Sequence, residues 1–154
     1  MPIITGEKLN QKLEQLLFVK EIAPYIKQDM LYNGWQVRAN ERVLRLGFGV
    51  SASMALFKKA AQAKCTGLIV HHGLMGGGTW LDAISQQRYN WLINNHLSLW
   101  NYHFVLDAHP TLGHNAQILK FLGVPKTAPY FHHGAPWGRV GQLGTLLTAR
   151  VVWG

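Results

Sequence analysis

Two stretches of the chain carry residue types that bind metals or move protons. The first is LIVHHGL, where His71 and His72 are adjacent and Gly73 follows at once. The second is NYHFVLDAHP, where His103, Asp107 and His109 stand at spacings of four and two. Imidazoles beside a carboxylate suit zinc, manganese, iron or cobalt better than magnesium or calcium. The residues alone leave alternatives open. With 8 histidines in 154 residues, the pair reads either as polar loop residues or as ligands. Asp107 reads either as a ligand or as a cap or turn residue ahead of Pro110. Adjacent residues on an extended strand point to opposite faces. His71 and His72 are therefore not expected to converge on one ion. They could serve two ions, or one ion and a substrate, with Gly73 letting the chain turn. On a regular strand His103, Asp107 and His109 would share a face.

The elements that must position these residues follow from hydrophobic periodicity. TGEKLNQKLEQLLFVKEI has apolar residues at Leu9, Leu13, Leu16 and Leu17 and reads as a helix entered at Thr5. NGWQV reads as a turn into a strand, and RVLRLGFGV as a strand. SASMALFKKAAQAK is a helix capped by Ser51 or Ser53, with Met54, Leu56, Phe57 and Ala60 on its apolar face. CTGLIVHHG is a short buried strand, SQQRYNWLINNH a helix, and LSLWNYHFVLDAH a strand. GHNAQILKFLGV is a helix stopped by Gly123 and Pro125. FHHGAPWGRVG, with His132 and His133, reads as loop. Alternating helices and strands predict a layered α/β domain with parallel pairing, in which ligands sit beyond the carboxyl ends of the strands. Both histidine-rich stretches fall at such ends.

Length and composition bound the rest. A chain of 154 residues is the size of one domain, taken as 1–154. With 48% hydrophobic and 14% charged residues, part of the surface is expected to be covered by a partner. No apolar run is long enough to span a bilayer, the first residues lack a secretory pattern, and Cys65 is the single cysteine. These features predict a cytoplasmic protein without disulfides. A net charge of +8 suits a small anionic substrate. There is no dense basic stripe or reading motif, which argues against a nucleic-acid binder. Gly76, Gly77 and Gly78 lack the Lys-Ser/Thr of a phosphate-binding loop and read as a flexible loop or lid. Trp91 and Trp100 read as core or interface residues.

NGWQV, GFGVSAS, LIVHHGL and YHFVLDAHPTLGHNAQILKFLGV occur here in the order and spacing of the NIF-three-like proteins, also called type 2 GTP cyclohydrolase I-like. The chain resembles that family from about Lys8 to Gly141. The resemblance implies a NIF-three-like fold, a mixed or parallel sheet flanked by helices. It implies a dinuclear metal centre in which His71 and His72 each serve one ion and Asp107 supplies a carboxylate. His103 matches a pocket histidine, a candidate for acid/base work or substrate positioning. The resemblance also implies a homo-oligomer, a hexamer built from trimers. Two departures stand out. The family's second metal-binding motif, Gly-His-x-x-Ser-Glu, has no counterpart before Gly154, so the chain reads as truncated at its C-terminus, with an incomplete site holding one ion or two weakly. Where the family has Val-Asp the chain has Val50-Ser51, and Ser51 is expected to cap the next helix or to bond within the pocket. The functional expectation is a divalent-metal-binding protein of the metal-dependent hydrolase type. The alternative is a non-catalytic metal-binding scaffold or interaction module.

Overall fold

The structure, a computed structural model, describes residues 4–18, 20–29, 31–74 and 82–144. The chain forms two compact units, Met1–Phe104 and Val105–Gly154. The glycine run at 76–78 and the tail at 145–154 lie outside the described residues.

In the first unit, strand β1 (Ile4–Thr5) leads into helix α1 (Gly6–Leu17), with a 3-10 turn at Ala23–Gln28. Then come β2 (Gly34–Val37), β3 (Arg42–Val43), β4 (Leu46–Ser51), α2 (Met54–Gln62), β5 (Gly67–His72), α3 (Ala83–Asn94) and β6 (Ser98–Asn101). Helix α1 begins where the sequence indicates: Thr5 Oγ1 accepts from the Lys8 amide at 3.2 Å, satisfying a donor the helix itself cannot. Of the two serines considered for α2, Ser53 is the cap, accepting from the Leu56 amide at 3.3 Å. Asp82 caps α3, accepting from the Ser85 amide at 2.7 Å.

The main sheet has the order β2-β6-β5-β4. Strands β4, β5 and β6 are parallel, while β2 runs antiparallel to β6. The sheet is therefore mixed, as an added strand that needs no crossover helix allows. Helices α2 and α3 supply the two crossovers, and Phe57, Ala60 and Leu92 pack with Leu68, Val70 and Leu99 in one buried cluster. Burying a side chain the size of Phe57 or Leu92 contributes about 1.5–3 kcal/mol. Ile69 and Trp100 pair across β5 and β6 on the other face, where Trp100 stacks on Trp35 at 4.9 Å. Trp100 is thus core, as its sequence context suggests, and Trp91 stacks on Phe57 at 5.9 Å.

Helix α4 (Phe104–Ala108) starts at the last residue of the first unit, and the second unit continues with α5 (His114–Phe121), β7 (Thr127–His132) and β8 (Ala135–Gly141). Helix α5 closes at Gly123, with φ of +70°. The Val124 amide reaches back to the Leu119 carbonyl at 2.9 Å, the bond that a left-handed residue at a helix end makes available. Strands β7 and β8 form an antiparallel hairpin. The FHHGAPWGRVG segment is therefore not a loop. His133 and Gly134 both have positive φ, +47° and +78°, and such a two-residue turn matches strand twist. Histidine is an uncommon residue at that position, so the sequence signal is weak. Among the described residues no helix is long and apolar enough to cross a membrane.

Candidate metal centre

Strand β5 carries its buried residues, Gly67 to Val70, into the sheet and delivers His71 and His72 at its carboxyl end. Gly73 follows because space demands it. A Cβ there would lie 2.5 Å from Gln36 Oε1 and 2.6 Å from Asn101 Cγ. The glycine is needed for close approach rather than for an unusual backbone angle.

The two imidazoles converge, against the expectation from strand alternation. Their centroids are 4.5 Å apart, and His103 joins them at 4.7 Å from His71 and 5.6 Å from His72. One ring nitrogen from each of His71, His72 and His103 lies within 4.8 Å of the others. Both are the last residues of β5, with His72 still paired to Ser51, so their convergence comes from where the long rings reach and not from a break in the strand.

Hydrogen bonds fix how these rings are presented. His71 Nδ1 lies 3.1 Å from the Tyr102 carbonyl oxygen. A carbonyl only accepts, so Nδ1 carries the proton and Nε2 the lone pair of the neutral ring. His72 Nδ1 lies 3.2 Å from Ser51 Oγ. Ser51 therefore bonds within the histidine cluster and leaves the capping of α2 to Ser53. His103 Nδ1 lies 3.1 Å from Asp29 Oδ1 and 3.3 Å from Oδ2.

Asp29 was invisible as a site residue in the sequence. Its side chain is only 2% exposed. Burial pushes its carboxyl up. The amides of Leu31 and Phe104, the Asn33 side chain and His103 together outweigh that and hold it below its ordinary value. The local signal is that of a turn: Asp29 Oδ1 accepts from the Leu31 amide two residues on, at 3.0 Å, a common use of aspartate.

The same residues end the strand before His103. Asn33 Oδ1 accepts the His103 amide at 2.7 Å, and Asp29 Oδ2 accepts the Phe104 amide at 2.9 Å. Backbone donors that would have continued the ladder of β6 are taken by side chains, and the chain winds into α4. The strand expected over LSLWNYHFVLDAH thus stops at Asn101, and the shared extended face of His103, Asp107 and His109 does not exist. Asp107 is a helical residue. In the second unit its Oδ1 lies 3.2 Å from His114 Nδ1, a neighbour that the sequence reading did not single out. Histidine 109 is 4% exposed, and its Nδ1 accepts the amides of Thr111 and Leu112 at 3.2 and 3.0 Å. It closes a turn.

His132 and His133 touch each other, with ring centroids 4.1 Å apart. Among the described residues no third metal-ligating side chain groups with them. A surface cleft of about 470 Å3 lined by Trp35, Arg38 and Glu41 contains none of the cluster histidines.

The donor set fits a transition-metal ion. Around a tetrahedral zinc, nitrogens at about 2.0–2.1 Å stand about 3.3 Å from one another. The cluster, with its nitrogens within 4.8 Å of one another, is about 1.5 Å wider than that spacing at most. Outer hydrogen bonds to each ring are the arrangement that holds metal-binding histidines in place.

The sequence and the fold are shared with known proteins. A profile of Duf34/NIF3 (NGG1p interacting factor 3) matches residues 9–152. The GTP cyclohydrolase 1 type 2 homolog of Vibrio cholerae is 39% identical over 121 residues, 75% of this chain and 46% of that one. Its counterpart in Salmonella typhimurium is 35% identical over 135 residues, 86% of this chain and 54% of that one. The chain spans about half the length of these relatives. The crystal structure of TTHA1606 from Thermus thermophilus superposes with a TM-score of 0.74 and 30% identity, covering 82% of this chain and 51% of that one. Profile, sequence identity and shared architecture converge on one conclusion: the chain belongs to the Duf34/NIF3 family.

Proposed function

We propose that the chain is a divalent-metal-binding protein, holding one transition-metal ion through His71, His72 and His103, with Asp107 as the carboxylate ligand. The observation that carries this reading is the meeting of three imidazole nitrogens within 4.8 Å at and just beyond the carboxyl ends of parallel strands. Asp107 is included on the family's likeness. An ion in such a site, zinc, iron, manganese or cobalt, polarises a bound carbonyl or phosphoryl oxygen and makes water a nucleophile near neutral pH. The names of the relatives, GTP cyclohydrolase 1 type 2 homolog, and the net charge of +8 favour a small anionic substrate and hydrolytic chemistry.

A second reading has its own support. The Asp29–His103 contact of 3.1 Å is also the arrangement of a proton-transferring histidine oriented by a carboxylate. Metal uptake by His103→Ala separates the two. A ligand's loss weakens binding, whereas a proton-transfer residue's loss leaves binding intact and stops turnover. A protein that takes up metal without any hydrolytic turnover would be the non-catalytic scaffold or interaction module. We further propose a cytoplasmic homo-oligomer, a hexamer built from trimers. Leu44, Phe48 and Val50, at 59%, 73% and 68% exposure, give β4 and its approach an apolar surface of the kind that association covers.

A further inference from the structure

We propose that Asp29 is the positioning residue of the histidine cluster: its carboxylate holds His103 with the proton on Nδ1, so that Nε2 presents its lone pair to the metal. The metal half of this inference rests on the function proposed above; the tautomer half does not.

The argument is a count of donors. An ionised carboxylate has about four lone-pair sites and no proton to give. Asp29 Oδ1 accepts the Leu31 amide at 3.0 Å and faces His103 Nδ1 at 3.1 Å. Its Oδ2 accepts Asn33 Nδ2 at 2.7 Å and the Phe104 amide at 2.9 Å. Three of these partners are donors and nothing else, and together they keep the carboxylate ionised. The fourth, the imidazole, must then donate as well. In the neutral ring that places the proton on Nδ1 and the lone pair on Nε2.

Position is fixed along with protonation. Asn33 Oδ1 takes the His103 amide at 2.7 Å, and Asn33 is itself tied to Asp29. The backbone on both sides of the His103 side chain and the ring are thus anchored to one buried group, Asp29. His71 obtains the same tautomer from the Tyr102 carbonyl at 3.1 Å. Two of the three rings are therefore set for metal by groups that can only accept, one of them charged. A charged acceptor strengthens the hydrogen bond and raises the basicity of the ligand nitrogen.

Asp29→Asn is the discriminating variant. An amide has a single acceptor oxygen, so it cannot receive four donors. With the oxygen kept toward Asn33 and Phe104, its NH2 group faces His103 Nδ1. The ring is then driven to accept at Nδ1 and to carry its proton on Nε2. The measurement is long-range 1H–15N correlation of the imidazole nitrogens in metal-free protein, with the amide spectrum as the control for folding. The expected result is an Nδ1–H tautomer for His103 in the wild type and Nε2–H in Asp29→Asn. An Nε2–H wild type, or an Asp29→Asn that keeps Nδ1–H, overturns the proposal. Should the variant fail to fold, the wild-type tautomer alone decides it. Titration with Co2+, followed by visible absorption, is expected to show binding weakened about 10–100-fold in Asp29→Asn. Adding Asp29→Asn to His103→Ala is expected to weaken it no further. A further loss in the double variant contradicts action through His103. Absence of Co2+ uptake by the wild type would overturn the metal reading and leave the tautomer result to judge Asp29 separately.

Discussion

Asp29 and His103 lie 74 residues apart in sequence and are joined by a hydrogen bond of 3.1 Å. The contact ties the turn before β2 to the residue where β6 gives way to a helix. It also couples the stability of the fold to the orientation of a ring in the histidine cluster.

That coupling has a pH signature. The folded Asp29 carboxyl is held below its ordinary value of 3.8. A depressed carboxylate stabilises the folded state fully above the unfolded value, and the contribution is lost as pH falls through the lower folded one. Urea unfolding of wild type and Asp29→Asn is expected to show a stability gap that shrinks as pH falls below about 4. A gap that stays unchanged or grows below about pH 4 would contradict the assignment.

Gly73 is required by space. In Gly73→Ala the new methyl would lie 2.5 Å from Gln36 Oε1 and 2.6 Å from Asn101 Cγ. Overpacking of this kind costs about 1–3 kcal/mol. For a chain of this length each kcal/mol lowers Tm by about 2–4 °C, so a thermal melt is expected to shift by several degrees. An unchanged Tm would mean that the loop after β5 moves aside freely.

Ser51 acts on His72 through a single 3.2 Å hydrogen bond. Ser51→Ala is expected to weaken Zn2+ binding by about tenfold, the low end for loss of an outer hydrogen bond, with little change in Tm. Isothermal titration checks this. A loss as large as that of His72→Ala would make Ser51 a ligand in its own right.

Exposed apolar residues on and just before β4 bear on assembly. Light scattering at micromolar concentration is expected to show a particle larger than a monomer. Charged substitutions at Phe48 and Val50, exposed at 73% and 68%, are expected to break it down. A monodisperse monomer in the wild type would remove that surface from the account.

How much of this was legible in the sequence differs by element. The helices and parallel strands of the first unit were legible, because Thr5, Ser53 and the Leu68–Val70 run carry local signals for caps and buried strands. His71, His72 and His103 stood out by type alone. What failed depended on contacts distant in sequence. The stretch from Ser98 to His109 reads as one long strand until Asp29 and Asn33 remove its backbone donors. Asp29 itself reads as a turn residue, since its partner lies on another element. Strand alternation placed His71 and His72 on opposite faces, yet at the end of β5 their rings lie 4.5 Å apart. The hairpin around His133 was missed because the positive-φ pair there is His-Gly rather than Asn-Gly.

The central claim is that the histidine cluster holds a metal ion, and elemental analysis of the purified, dialysed protein tests it most directly. The account predicts about one zinc, iron, manganese or cobalt ion per chain, as expected for three or four protein ligands around one centre. It predicts that His71→Ala and Asp107→Ala each lose that ion, while His132→Ala, whose ring pairs only with His133 in this geometry, keeps it. No metal in the wild type, or metal content unchanged in His71→Ala, would contradict it.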